Sequence, residues 1–515
     1  MSSLKKVPRA ALAGAGAVVA LILVGAVLAG CGSSSSEDVK FNGSGYPGVD
    51  VANTRQAKGS IDSSTVASLE EAWSLPLTAK SSFGSYASSP IVSNGVIYSQ
   101  DLASNVKAIS LDSGEVLWSK SYNAPDEGPN GLVVAGGRVY GATPSSAFAL
   151  DQKTGKEIWS VELTRNEHEG IDMAPGYRDG MVYVSTVPLN VSANYEGGGA
   201  GILWALDAKT GKKIWHFDTV PTNLWKKPAI NAGGGLWYAP SFDSQGSMYF
   251  GVGNPAPFPG TEKYPWGSSR PGPNLYTDSI VKLDAKTGKL RWYYQQTPHD
   301  IYDWDLQDPP ILVNAGGRQL AITSGKVGVV VAVDRKSGKV VWKRSVGTHN
   351  GHDKDSIYAM NGEYSKLKTG ATVYPGQIGG VIAPMSTDGK SVFVPVVNHS
   401  LTIGGQEEIQ EEGALTGELV AIDIATGAVK WSHKFQSAAF GATTVVNDLV
   451  FATTFEGTVH AFDTSSGAEV WEATLPAGTN SGVVVSGDTL IAPAGIASAE
   501  GQKPAMVAYR LPGDE

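Results

Sequence analysis

One pattern recurs seven times along this chain and limits its fold more than any other feature: an alternating apolar stretch, usually Asp, two residues, Ser or Thr, Gly, three residues, then Trp. Typical copies read LWALDAKTGKKIW and VVAVDRKSGKVVW. The Gly–Trp pairs are Gly114–Trp118, Gly155–Trp159, Gly211–Trp215, Gly288–Trp292, Gly338–Trp342, Gly427–Trp431 and Gly467–Trp471, and their spacing never varies. Ser110 replaces the usual Asp in the first copy. Each copy reads as a β-hairpin: an alternating strand, a turn in which Asp bonds nearby backbone and Gly supplies positive φ, and a second strand. A large apolar ring at a fixed distance from the turn is a core residue, placed to wedge against the next unit.

Successive repeat glycines stand between 40 residues (Gly427 to Gly467) and 89 residues (Gly338 to Gly427) apart. That is about one four-stranded propeller blade, with or without inserted loops. An eighth unit is expected from the two ends of the chain. The strand Met506 to Leu511 resembles the front of the repeat without its tryptophan, and Glu71 to Leu75, which contains Trp73, supplies a back half. Closing a ring this way removes exposed strand edges. With helical periodicity almost absent, the expected class is all-β, an eight-bladed β-propeller over residues 39–515.

Ahead of it, Lys5, Lys6 and Arg9 precede an apolar run from Ala10 to Leu28, the layout of an export signal. The run ends Leu28-Ala29-Gly30-Cys31, which resembles a bacterial lipobox; residues 1–31 are then a lipoprotein signal peptide with Cys31 as the lipidation site, and 32–38 a Ser-rich tether. The expected location is the outer face of the bacterial cell membrane, held by the lipid anchor. The alternative is a transmembrane anchor, because the run approaches the roughly 20 residues that span a bilayer. Cys31 is the only cysteine, which excludes disulfides, cysteine–zinc clusters, thiol nucleophiles and c-type haem attachment. A net charge of −9 with 17% charged residues provides no basic stripe for nucleic acid. No G-x-S-x-G, P-loop or H-E-x-x-H motif occurs. His349-Asn-Gly-His352 offers two histidines without a third metal ligand.

The tandem hairpins resemble the tryptophan-docking motif of the pyrroloquinoline-quinone (PQQ)-dependent alcohol dehydrogenases. Four inter-repeat segments extend the resemblance. Thr297-Pro-His-Asp300-Ile-Tyr-Asp303-Trp-Asp305 is similar to the family's catalytic-aspartate segment, which implies Asp303 as the catalytic base. Tyr249-Phe-Gly-Val-Gly-Asn254-Pro resembles the loop whose Asn binds the metal, and Glu196 stands where the family has its glutamate ligand. Gly233-Gly-Gly-Leu-Trp237 resembles the approach to the tryptophan on which PQQ stacks. Lys326 and Asn398 match residues at the cofactor's edge, Lys326 being the one that stabilises charge developing on the quinone. The resemblance implies PQQ, with Ca²⁺ or a lanthanide at Glu196, Asn254 and Asp303; Asp305 adds an oxygen that in the family goes with lanthanide. It also implies a small alcohol-type substrate and an external electron acceptor, since the chain has no haem motif.

The residues make physical sense without the family. Glu196, Asn254 and Asp303 offer hard oxygen ligands and Trp237 a flat apolar face, in successive inter-repeat segments that a propeller brings to its axis. Singly, each has an ordinary reading: turn acids, a loop hinge, a core tryptophan, a surface lysine. Departures fall on the opposite side. Ala124 and Pro125 stand where methanol-oxidising members carry adjacent cysteines, Asn130 where an arginine meets a PQQ carboxylate, and Ala439 or Phe440 where a tryptophan is expected. The competing reading is a non-catalytic propeller that acts as an envelope scaffold or binds protein or polymer.

Overall fold

The computed structural model describes residues 45–189, 197–404 and 409–513. Eight sheets, each built on four antiparallel strands and two of them (blades 6 and 7) carrying a fifth, follow one another along the chain as blades 1 to 8: residues 91–120, 133–162, 176–218, 241–295, 311–345, 386–435, 444–474, and 484–510 joined by Glu70–Pro76. In blade 8 the strand Glu70–Pro76 pairs antiparallel with Ala505–Arg510, so strands from both ends of the chain close the ring.

Burial explains the strand sequences. In blade 2 the inner strands Val133–Ala135 and Arg138–Ala142 are almost wholly buried, whereas the outermost strand, Glu157–Glu162, alternates exposed and half-buried residues. Inner strands are covered on both faces by neighbouring blades and read as continuous apolar runs. The largest apolar cluster accordingly draws on blades 2, 3 and 4 together: Val133, Tyr140, Val182, Leu203, Phe242 and Val281 all belong to it.

The invariant spacing has a direct cause. Trp118 Nε1 donates to Gln152 O in the turn of the next blade at 3.1 Å, and the same bond runs from Trp159 to Ala208, Trp215 to Lys286, Trp292 to Arg335, Trp342 to Ile424 and Trp431 to Thr464. Trp73, on the strand that closes blade 8, docks in the same way on Leu111 O of blade 1. Each indole lies flat against the turn glycine, where an added Cβ would sit 2.5–2.8 Å from a ring carbon. Glycine is therefore required both for φ near +70° and for the ring's approach. Trp471 lacks this dock. Blade 8 has no turn between its last two strands, because the chain ends divide there, and Trp471 packs edge-on against Tyr509 instead.

A feature absent from the hairpin expectation is a bulge in every outer strand pair. In blade 3, Trp215 pairs with Ala205 and Lys213 with Leu206, so Ile214 is squeezed out and stands half exposed. The bulge re-aims the tryptophan toward the next blade.

The segment 45–61 precedes the first blade and crosses the inner strands of several others. Gly45, Val51, Ala52, Thr54 and Arg55 each accept a backbone hydrogen bond, from Val134, Phe242, Leu312, Thr387 and Val445 respectively. Gln56–Ala57 then runs parallel to Thr444–Val446 as a fifth strand of blade 7. These contacts run the segment along the inner strands of blades 2 and 4 to 7 in turn.

Candidate functional site

Blades pack through their faces, so the axis itself is left open. It holds a cavity of about 410 Å³ whose wall includes Trp237, Asn254, Asp303 and Lys326, together with Phe258, Ile382 and Phe440. A smaller cavity of about 170 Å³ adjoins it, and Glu127, Asp172, Val187 and Pro188 belong to both walls.

Two loops build one side by backbone-to-backbone packing. Ala232–Gly233 pairs with Pro255–Ala256, Gly234 N donates to Asn254 O at 2.9 Å, and Gly253 N to Gly235 O at 3.0 Å. A Cβ at Gly235 would strike Thr186 O, and one at Gly253 would stand 2.9 Å from Asp305 Oδ1. The glycines before Trp237 are thus needed for close approach, which brings Asn254 beside the indole. Asn254 N donates to Asp305 Oδ1 at 2.7 Å.

Asp303 has φ of +63°, a left-handed conformation that non-glycine residues rarely hold unless their surroundings impose it. Here they do. The Asp300 carboxylate accepts from Tyr302 N at 3.1 Å and Trp304 N at 2.8 Å, bracketing Asp303. The flanking rings are tied in turn: Tyr302 Oη donates to Asp355 Oδ2 at 2.6 Å, and Trp304 Nε1 to Pro375 O at 3.1 Å. Lys326 N donates to Asp305 O, setting the lysine opposite this loop. Its Nζ lies 2.7 Å from both Asp303 Oδ2 and Asp305 Oδ2, and 4.7 Å from the Trp237 ring centre.

Four carboxyls, Asp278, Asp300, Asp303 and Asp305, are buried here, near the two cations Lys326 and Arg270. Burial pushes Asp278 well above the usual range, with Asp300 and Asp305 adding repulsion; burial also lifts Asp300 to about 6 and holds Asp303 high against the pull of Lys326. Both Asp278 oxygens are buried without a hydrogen-bond donor, and Asn254, Asp303 and Asp305 add further oxygens. A hard cation suits that donor set. On the metal side the residues fit.

The sequence-derived residues therefore divide. The structure brings Trp237, Asn254, Asp303, Asp305 and Lys326 together. Glu196 and Cys31 lie outside the described residues. Asn398 is a correction: it is not in the cavity wall. Its Oδ1 accepts from Thr348 N at 2.9 Å and its Nδ2 donates to Glu418 Oε1 at 3.1 Å, so both ends of the amide are engaged midway along the 391–423 hairpin. His349 and His352 pair with different acids, Asp353 and Asp355, and share no ligand position. Of the departures, Asn130 and Phe440 line the axial cavity, Pro125 lines the side cavity, and Ala439 is packed in the apolar cluster between blades 6 and 7.

Sequence reasoning missed two parts of the site. Arg55 enters from the crossing segment and is anchored to Thr443 O, Pro47 O and Ser89 Oγ; it faces Asp308, whose carboxyl burial drives up and Arg55 draws down. Asp126, Glu127 and Asp172 make the wall between the two cavities acidic. The only sequence signal for that wall was the absence of the expected arginine at Asn130.

Fold and site together define a tryptophan-docked propeller with a buried, acid-rich axial chamber. Residues 177–345 match the family profile described as glucose/ethanol/alcohol dehydrogenase, β-propeller domain, and residues 102–247 and 386–507 match one described as outer membrane protein assembly factor BamB. The quinohemoprotein alcohol dehydrogenase of Comamonas testosteroni is 28% identical, over 86% of this chain and 70% of its own length. Its crystal structure superposes with a TM-score of 0.77 at 25% identity, covering 91% of this chain and 80% of that one. The quinoprotein alcohol dehydrogenase PedH of Pseudomonas putida is 26% identical over 84% of this chain and 80% of its own length. A europium-containing methanol dehydrogenase shares the fold, with a TM-score of 0.76 at 19% identity over 91% of this chain and 98% of its own. The chain carries a PQQ-type β-propeller, and over most of its length it is similar to quinoprotein and quinohemoprotein alcohol dehydrogenases.

Proposed function

We propose that this protein is an exported, lipid-anchored quinoprotein that oxidises an alcohol or another small hydroxylated compound and passes the electrons to a separate acceptor. The observation that carries the reading is the placement of Lys326 Nζ, 4.7 Å from the Trp237 ring centre and 2.7 Å from the carboxylates of Asp303 and Asp305, at the wall of the axial cavity. Asn254, Asp303 and Asp305, with Glu196 as the family resemblance adds it, would hold Ca²⁺ or a lanthanide ion. When bound, PQQ would supply a quinone able to take hydride from an alcohol, and the cation would polarise it.

The remaining work falls to the chain. Asp303 accepts the substrate hydroxyl proton, and its position is held by the Asp300 turn rather than by its own flexibility. Trp237 provides the flat floor. Lys326 keeps a positive charge at the chamber wall and tempers the repulsion between Asp303 and Asp305. Phe258, Ile382 and Phe440 exclude water and favour an apolar substrate body.

The acidic wall supports a second reading. Glu127 and Asp172 line the axial cavity, with Asp126 on the adjoining side cavity, where a cofactor with three carboxylates would meet their negative charge; this favours a propeller that no longer takes PQQ and serves as a binding scaffold. Calorimetric titration of PQQ into the full chain, with Ca²⁺ or La³⁺ present, separates the two, followed by dye-linked alcohol oxidation. Binding that is lost in Asp303→Ala protein, with turnover in the parent, supports the quinoprotein. No binding with either metal leaves the scaffold.

A further inference from the structure

The chain between blades 5 and 6, residues 346–385, is far longer than the few residues that join two strands. It carries His352, one of the two histidines that the sequence offered without a third metal ligand. It folds a short helix, Asp355–Met360, and a strand, Thr372–Val373, that pairs antiparallel with Leu401 and Thr402 of the blade 6 hairpin. Ala359, Leu367 and Val373 from this segment pack in one apolar cluster with Ile301, Tyr302 and Trp304. The loop that carries Asp303, between blades 4 and 5, is therefore seated on a segment that has its own anchorage.

Asp355 is the polar centre of that contact. It is 5% exposed, and its Oδ2 accepts from Tyr302 Oη at 2.6 Å and stands 2.7 Å from His352 Nδ1. Burial, with the Asp355 charge added, pushes the Tyr302 hydroxyl well above its ordinary value, so it keeps its proton and donates. His352 donates from Nδ1, because the carboxylate offers no hydrogen. Bonds to an ionised acceptor are roughly twice as strong as those between neutral groups. His352 thus holds the carboxylate that holds the tyrosine.

We propose that Asp355, oriented by His352, is a positioning residue for Asp303 and acts through Tyr302; its effect on turnover rests on the reading of Asp303 as the base. Asp303 has φ of +63°, which a non-glycine residue keeps only while its surroundings impose it. Lys326 meets the carboxylate end of Asp303, whereas the backbone is fixed through the residues on either side. Asp300 bonds both flanking amides but belongs to the same loop and moves with it. Asp355 ties that loop to a separately packed segment. With Tyr302 released, Asp303 relaxes toward ordinary backbone and its carboxylate leaves its place in the chamber. Proton acceptance slows, while substrate binding, which falls to Trp237 and the apolar wall, is kept.

Hydrogen exchange of the full-length protein in detergent, without added cofactor or metal, reads the loop directly. In Tyr302→Phe and Asp355→Ala proteins the amides of residues 300–305 should exchange at least ~10-fold faster than in the parent, while those of the blade 4 strand Ser279–Asp284 keep their rates. Glu363→Gln, which breaks an ion pair with Lys366 in the same segment, is the control and should leave both regions unchanged. Dye-linked alcohol oxidation with PQQ and Ca²⁺ or La³⁺ then reads the consequence: kcat falls about 10- to 100-fold in each single variant with KM within about 2-fold. The double variant should be no slower than the slower single, because both changes remove one bond. Asp355→Asn, which keeps an acceptor oxygen, should retain most of kcat. Unchanged exchange at 300–305 in Tyr302→Phe protein overturns the proposal, as does a loss carried by KM or one that multiplies in the double variant. A parent that oxidises no alcohol sinks the quinoprotein reading instead, and the exchange rates still decide whether Asp355 holds the loop.

Discussion

Gly338→Ala tests whether the repeat glycines exist for their backbone angle alone or also for the docked indole. Gly338 has φ of +70°, and an alanine Cβ there would stand 2.8 Å from Trp292 Cδ2 and 2.9 Å from Cε3. The left-handed backbone costs a non-glycine residue about 1–2 kcal/mol wherever it occurs. Gly137 isolates that contribution, because its φ is +75° and nothing lies within 4 Å of its would-be Cβ. At Gly338 the indole must also move, forfeiting the 3.0 Å bond from Trp292 Nε1 to Arg335 O, worth about 1 kcal/mol, and part of its packing. Gly338→Ala should therefore cost about 3 kcal/mol against about 1–2 kcal/mol for Gly137→Ala. In a Trp292→Leu background the Gly338→Ala cost should fall to the Gly137 value, a coupling of about 1–2 kcal/mol. Urea unfolding of the parent, the two single variants and the double variant measures it. A Gly338→Ala cost that is the same in the parent and in the Trp292→Leu background refutes the docking explanation of the spacing.

The remaining predictions concern the chamber. Asp303→Asn should lower kcat for alcohol oxidation by about 10²–10⁴ with little change in unfolding, as expected for loss of a general base. Because burial holds the Asp303 carboxyl above its ordinary value, the base is ionised only at higher pH, and kcat should rise with pH. Lys326→Met removes the charge that draws Asp303 down and should move the ascending limb of the pH–rate profile to higher pH; an unmoved limb excludes Asp303 as the titrating base. Arg55→Met should destabilise the protein by about 3 kcal/mol or more in urea unfolding, since three acceptors lose a charged donor and Asp308 loses its compensating charge.

Blade closure was legible because each piece of the relevant pattern is local. A hairpin needs only its own strands and turn, and a turn glycine four residues before a tryptophan reports one blade docking on the next. The same locality explains which site residues could be named. Asp303, Asn254 and Trp237 each sit in a loop whose form is dictated by near neighbours in sequence: the Asp300 turn, Pro255 and the glycines at 233–235. Asn398 failed because its role depends on Glu418, across a hairpin, and on Thr348, 50 residues away; a polar residue at a plausible spacing carries no mark of being already satisfied.

What the sequence determined alone is the number of blades, the strand that each end contributes and the kind of chemistry the inter-repeat loops can hold, since these rest on periodicity and turn stereochemistry. Only the tertiary structure decided what the loops face. It brought Arg55 to Asp308, set Lys326 between Asp303 and Asp305, and placed Asp126 close enough to repel Asp172. Those encounters join residues from 21 to more than 250 positions apart. Ring closure alone fixes such distances, and whether a buried charge finds a partner or waits for a ligand depends on them.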